Sequence, residues 1–162
     1  MLLTNAPGRA TIEVMGDPDL GRMFLEAHRT LAGELSEELS ERGYEDARPG
    51  YAAVFMHIDR RSGTRLTDLA QRSRITKQGM MLIIDEMENR GYLRRVPDPD
   101  DARAKIVRLT ARGRRYVAEA RRVVAGMETR IRRELGYRQF AVMRDGIARI
   151  IGIEEEEEEG AS

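Results

Sequence analysis

Leu20, Met23, Phe24, Ala27, Leu31, Leu35 and Leu39 recur every three or four residues, the period that lines up side chains on one face of an α-helix. Asp17-Pro18 marks the start of this helix, with Asp as cap and Pro in the first turn, where its missing N–H costs nothing. Gly43 marks the stop. Arg48-Pro49-Gly50 breaks the chain, and Ala53, Val54, Phe55 and Ile58 then predict a second, mostly apolar helix from Tyr51 to about Asp59. A short helix over Thr67 to Arg72 turns Leu69 and Ala70 inward. Ser73, Arg74 and Ile75 connect it to a further helix capped by Thr76, whose hydroxyl can accept a first-turn amide. Met80, Ile83, Ile84 and Met87 form the apolar face of that helix; Lys77, Gln78, Met81 and Leu82 lead the opposite one. Gly91 ends it, because glycine enters the left-handed conformation cheaply.

The pattern then changes. Over Tyr92 to Val96 and Ala104 to Leu109, Val and Ile are interleaved with Arg and Lys, which reads as two strands. Pro97-Asp98-Pro99-Asp100-Asp101 between them is a turn by composition. The sequence leaves room for a further short strand near Thr64 and Arg65 without a pattern that requires it. Helical spacing returns after Thr110: Tyr116, Val117, Ala120, Val124, Met127, Ile131 and Leu135 mark one stripe. Gly136 interrupts it, and Phe140, Met143, Ile147, Ile150 and Ile151 mark a last helix. Two helices joined by a short turn make a helix-turn-helix, and a basic hairpin after it makes a winged helix.

The fold class is therefore mainly α with a small β-hairpin wing: a winged helix-turn-helix domain plus a terminal-helix dimerisation module. Residues 1–16 are a loose arm, 17–47 a dimerisation helix, 48–110 the winged domain, 111–153 the C-terminal dimerisation helices and 154–162 an acidic tail. The terminal helices carry more apolar stripe than a small winged domain needs, so a homodimer is expected; a monomer that folds them back on itself is the alternative. Glu154 to Glu159 is a solvated tail of like charges, or else a competitor with DNA phosphates for a basic face.

Charge adds a second signal. The chain has 28 Lys plus Arg and 28 Asp plus Glu. From Arg60 to Arg115, however, basic residues outnumber acidic ones by 15 to 7, and elsewhere the ratio reverses to 13 against 21. A basic domain beside acidic helices is the electrostatic footprint of a nucleic-acid reader; an Arg-rich solvated surface is the plainer alternative. There is no cysteine, which excludes disulfides, thiolate metal sites and thiol redox switches. His28 and His57 give no metal-ligand spacing, so neither metal nor cofactor is expected. No apolar run is long enough to span a membrane and no secretory signal is visible, so a cytoplasmic protein is expected. No phosphate-binding glycine loop or Ser/His/Asp set is present, and catalysis is not expected.

The sequence resembles the MarR-type transcriptional regulators. The resemblance rests on Leu69-Ala70, on Asp85 through Gly91, on the wing run Asp98-Pro99-Asp100-Asp101-Ala102-Arg103, and on Val107 to Thr110 with Gly113 after it. It implies groove contacts from Thr76, Lys77, Gln78, Met81 and Leu82. It also implies a wing arginine, Arg103, oriented by Asp101, reaching into the adjacent minor groove. The sequence departs from the family pattern at Met81 and Leu82, where small polar or basic residues are usual. It departs again at Glu86, and at Ser73 and Arg74 in the turn.

Within this reading Lys77 donates to guanine, Gln78 pairs with adenine, and the apolar pair touches thymine methyls. Phosphate contacts fall to Arg65, Thr67, Arg74, Arg95 and Lys105, with Arg94 and Arg108 as further candidates; strand alternation keeps Arg94 and Arg95 from both facing the duplex. The expected function is a homodimeric regulator on a pseudo-palindromic operator of double-stranded DNA, a repressor released by a small, often aromatic, effector. By resemblance, His28, Tyr44, Tyr51, Phe55 and Met56 line the effector cleft, although such residues at helical spacing are commonly core. The alternative is a winged-helix protein–protein interaction module without sequence-specific DNA binding.

Overall fold

The structure, a computed structural model, describes residues 19–101 and 104–152. The chain runs α1 (Leu20–Glu41), a 3-10 turn (Pro49–Tyr51), α2 (Ala52–Phe55), β1 (Thr64–Arg65), α3 (Leu66–Arg72) and α4 (Lys77–Asn89). It continues through β2 (Leu93–Pro97), β3 (Lys105–Leu109), α5 (Ala111–Leu135) and α6 (Tyr137–Ile150). It divides into two units, residues 1–34 and 35–162.

In the first unit, Asp19 Oδ1 accepts the Arg22 amide at 2.9 Å. Asp19 is thus the cap of the described helix; the predicted Asp17-Pro18 start lies outside the described residues, as do the N-terminal arm and the acidic tail. Leu20, Met23, Phe24, Leu25 and Leu31 are exposed.

The second unit is built on one core. Tyr51, Val54, Leu69, Met80, Ile84, Met87, Tyr92, Leu93 and Val107 are almost wholly buried. Each large side chain removed from water contributes about 1.5–3 kcal/mol, so α3, α4 and the sheet are held by burial rather than by propensity. The sheet is antiparallel in the order β1-β3-β2, with Leu93 opposite Leu109 and Pro97 opposite Lys105. Thr64 of β1 faces Val107. Gly91, at φ +74°, takes the left-handed turn that lets Tyr92 N reach Met87 O at 2.9 Å and start β2. A smaller cluster, Leu39, Val123 and Met127, packs the end of α1 on α5.

A polar network closes the base of this unit. Tyr92 Oη donates to Asp46 Oδ1 at 2.6 Å, and Arg112 Nη2 donates to the same oxygen at 2.8 Å. The Arg112 guanidinium also lies over the Tyr92 ring, 4.5 Å from its centre. Arg90 donates to the Asp46 carbonyl at 3.0 Å and to Glu86 at 3.1 Å. The loop before the 3-10 turn is therefore tied to the end of α4 and the start of α5. Burial first, and the Asp46 carboxylate second, push the Tyr92 phenol well above its ordinary pKa.

Two expectations, for α2 and for α5, need correcting. The helix predicted from Tyr51 to about Asp59 is α-helical only over Ala52–Phe55. Asp59 Oδ1 captures the Arg61 and Ser62 amides at 2.7 Å each, while Asp59 N donates to Thr64 Oγ1 at 2.8 Å, turning the chain early toward β1. Along α5 the buried valines are Val117 and Val123, the latter on the row with Ala120 and Met127; Val124 and Leu135 are exposed. In α6 only Phe140 is buried, while Val142, Met143 and Ile150, and Ile151 just after the helix, are exposed.

Candidate nucleic-acid interface

The helix-turn-helix is assembled from backbone bonds around an unusual turn. Ser73 N donates to Leu69 O and Ile75 N to Ala70 O, each at 3.0 Å. Between them Arg74 sits at φ +53°, a left-handed position that is uncommon for a residue with a Cβ. The Ser73 hydroxyl donates to Ala53 O at 2.8 Å, fixing the turn to the residue before Val54 in the core. Thr76 Oγ1 accepts the Gly79 amide at 3.1 Å, an N-cap worth about 1 kcal/mol. Its hydroxyl proton is still available to an external acceptor.

Helix α4 buries Met80, Ile84 and Met87 and turns Lys77, Gln78, Met81 and Leu82 outward. Two of these outward side chains are apolar and strongly exposed: Met81 at 43% and Leu82 at 63%. One turn further along, Asp85, Glu86 and Glu88 would place negative charge beside a polyanion. Each is covered by arginine. The Arg95 guanidinium binds Asp85 and Glu88, and Arg95 N donates to Glu88 Oε1 at 2.8 Å. Arg90 binds Glu86 at 3.1 Å. The Arg95 side chain is only 23% exposed. Burial lowers its proton affinity, yet the two carboxylates outweigh that and raise it.

That arrangement corrects the expectation for Arg95. Its guanidinium is spent on α4, so it braces the first wing strand against the recognition helix. The exposed member of the pair is Arg94. Arg65 is also engaged: its Nε donates to Asp98 Oδ2 at 2.6 Å. Asp98 is buried and its other oxygen accepts the Asp100 amide at 3.0 Å. The backbone amide first and Arg65 second hold the Asp98 carboxyl below its ordinary range, while Asp98 raises Arg65. The turn aspartate thus caps a backbone amide and also orients a cation across the sheet. Half of the Arg65 side chain remains exposed, so it can still reach a phosphate. Arg108 donates to Ser62 O at 2.9 Å.

Arg74, Lys77, Arg94 and Lys105 are exposed without an ion-pair partner among the described residues. Thr67 is exposed, with its hydroxyl 3.2 Å from Asp68 Oδ1. At the wing tip, Asp98 N donates to Ala104 O at 3.0 Å and Ala104 N to Asp101 O at 2.9 Å. Arg103 lies outside the described residues, and with it the proposed Asp101–Arg103 pair.

The effector candidates separate. Tyr44, Tyr51 and Phe55 belong to an aromatic cluster with Tyr92 and Tyr116; the Phe55 and Tyr116 rings stack at 4.6 Å and Tyr51 meets Tyr92 edge-on at 5.7 Å. Tyr51 is 1% exposed, yet its Oη has no hydrogen-bond partner among the described residues. Burial, assisted by the Glu86 carboxylate, pushes that phenol up to about 12. Met56 points outward at 77% exposure. His28 is exposed in the first unit.

No group of His, Cys, Asp and Glu among the described residues could hold a metal ion. No helix among them is long and apolar enough to cross a membrane.

Residues 47–104 match the MarR family model. A transcriptional activator of exopolysaccharide II synthesis from Rhizobium meliloti, ExpG, is 26% identical over 110 residues, covering 68% of this chain and 56% of that protein. YkoM, an uncharacterised HTH-type regulator from Bacillus subtilis, is 27% identical over 105 residues, covering 65% and 66%. The matched stretch thus spans between a half and two thirds of these relatives' length. Among solved structures, the transcriptional repressor CouR bound to a 23-mer DNA duplex superposes with a TM-score of 0.68 at 25% identity, covering 82% of this chain and 92% of that one. The reduced form of MarR from E. coli gives a TM-score of 0.69 at 18% identity, covering 83% and 98%, a likeness of fold. The regulators found are transcription factors rather than enzymes. Residues 47–104 thus carry the winged helix-turn-helix that the MarR family model describes, and the chain resembles MarR-type transcriptional regulators in sequence over that stretch and in fold over 82% of its length.

Proposed function

We propose that this chain is a homodimeric DNA-binding regulator of a pseudo-palindromic operator, acting as a repressor that a small-molecule effector releases. The observation that carries the reading is the outward face of α4. Its tip presents Thr76, Lys77 and Gln78 to solvent, and the acidic groups behind them are neutralised by Arg90 and Arg95. A helix supported by a buried opposite face, with exposed cations at Arg74 in the preceding turn and at Arg94 and Lys105 on the wing strands, suits insertion in a major groove with flanking phosphate contacts. Arg103, with Asp101 directing it, is assigned to the minor groove next to the wing.

Dimerisation is supported by unpartnered apolar surface. The first unit exposes Leu20, Met23, Phe24 and Leu31; separately, α6 exposes Val142, Met143 and Ile150, with Ile151 just after it. Surface of this kind on terminal helices suits contact with a second copy. The effector part rests on the aromatic cluster around Tyr44, Tyr51 and Phe55, with the unpartnered Tyr51 hydroxyl, and on a relative: CouR from Rhodococcus jostii has been solved bound to p-coumaroyl-CoA. A ligand acts here only by favouring one spacing of the two reading heads. A cytoplasmic location accompanies this role.

Selecting genomic fragments with the purified protein, then footprinting them, tests the proposal. Protection should cover an inverted repeat with half-site centres about one helical turn, ~34–36 Å, apart. Random recovery of fragments would contradict it. The exposed Met81-Leu82 pair keeps a second reading in play, a protein–protein interaction module, which that outcome would leave standing.

A further inference from the structure

We propose that Met81 and Leu82 are the specificity-determining residues of α4, and that they select operators by thymine methyl groups in the major groove. The inference rests on α4 being the DNA-reading helix, as argued above.

The four outward residues form two rows at i, i+4 spacing: Lys77 with Met81, and Gln78 with Leu82. Residues so spaced lie one above the other on the same face. Each row therefore starts with a hydrogen-bonding side chain at the helix tip and continues with an exposed apolar one. The next residue in each row is acidic, Asp85 and Glu86, and each is held by arginine. The rows thus run from polar to apolar to neutralised charge, and the apolar step is where the face usable for DNA ends.

Such a patch has a cost in water that only a matching partner offsets. Lys77 lies one turn before it on the same face and Arg74 in the turn leading into α4, both exposed and without ion-pair partners among the described residues. A second copy docked on this face would bring those like charges together. A duplex meets both demands at once, because its phosphates answer the cations and its major groove offers one apolar group, the C5 methyl of thymine. Gln78 strengthens the match, since a glutamine amide can pair bidentately with adenine, whose partner carries that methyl. Four residues along a helix advance about 6 Å, close to two base-pair steps of about 3.4 Å. Contacted methyls should therefore lie about two base pairs from the position read by Lys77 or Gln78.

The test begins with a duplex that the native protein selects from a random-sequence pool. Each thymine in that duplex is then replaced singly by uracil, which removes the methyl and leaves the pairing edge intact. Binding of each duplex is titrated with the native protein and with Met81→Ala/Leu82→Ala, whose exposed positions leave the core untouched and whose fold is checked by circular dichroism. The native protein should lose about fourfold in affinity for each contacted methyl removed, as burial of one methyl implies. The double variant should bind thymine and uracil duplexes equally while keeping its salt dependence. Equal binding of both duplexes by the native protein overturns the inference and leaves the DNA-reading proposal intact. Thymine discrimination that persists in the double variant overturns it too, by placing the contact elsewhere. A pool from which nothing is enriched would refute the DNA-reading proposal itself.

Discussion

Replacing Gly113 with alanine should destabilise this protein, while the same change at Gly126 on the same helix should not. A Cβ built on Gly113 would lie 2.2 Å from Tyr92 O, 3.1 Å from Tyr92 C and 3.2 Å from Leu109 Cδ2. Ordinary carbon–oxygen approach is about 3.3–3.6 Å, so backbone must move by roughly 1 Å. The atom in the way is pinned. Tyr92 O accepts Thr110 N at 3.0 Å, the Thr110 hydroxyl donates to the neighbouring Gly91 O at 2.6 Å, and Thr110 Oγ1 caps α5 by accepting Gly113 N at 3.1 Å. Loosening these bonds costs about 1 kcal/mol each, and a weakened cap about 1 more. The better helix propensity of alanine returns about 1 kcal/mol, leaving a net loss of roughly 2–3 kcal/mol. That is a large part of a typical stability of about 5–15 kcal/mol. At Gly126 nothing lies within 4 Å of the added Cβ, so only the propensity gain of about 0.5–1 kcal/mol applies. Equilibrium urea denaturation at one fixed chain concentration compares the two variants. If they unfold within about 0.5 kcal/mol of each other, at the resolution such mutant comparisons carry, the close approach of α5 to the start of β2 is not the constraint described.

Arg95→Met should weaken duplex binding, and adding Asp85→Asn with Glu88→Gln should restore most of the loss, because the arginine neutralises α4 rather than touching phosphate; titrations without any recovery would return Arg95 to the contact list. Asp98 has a depressed pKa in the folded chain, so its stabilising contribution is present above its ordinary value of about 3.9 and disappears as pH falls through the lower folded value. Denaturation midpoints should therefore rise with pH over that acid range in the native protein and rise less in Asp98→Asn; parallel curves would remove the role given to the Arg65–Asp98 pair. Leu20→Glu with Phe24→Glu, both exposed in the first unit, should shift sedimentation toward single chains without lowering helix content; an unchanged mass would separate that face from dimerisation.

The elements were largely legible because their signals are local. Thr76 and Thr110 are caps in sequence and in structure, each accepting the amide three residues on. Gly91 sits at the left-handed stop its position implied, and alternation of Val and Ile with Arg located β2 and β3 to within a residue. What the sequence hid depends on partners far along the chain. Nothing near Arg65 announces Asp98, 33 residues away. Asp46 is joined to Tyr92 and Arg112 across 46 and 66 residues. Arg95 has the same composition and neighbourhood as Arg94, and only strand phase decides which one meets Asp85 and Glu88. The early end of α2 follows from one side chain, Asp59, outbidding a helix for amides. Val123 and Val124 both satisfy the helical period, so packing against Leu39 had to choose between them.

The central claim is that two basic winged heads grip one duplex. An anisotropy titration of a labelled duplex at several salt concentrations tests it most directly, since each phosphate neutralised contributes about −0.9 to the slope of log affinity against log salt. The account predicts a steep negative slope worth several phosphates, with two chains bound per duplex at saturation. A flat salt response, or saturation at one chain per duplex, would contradict it.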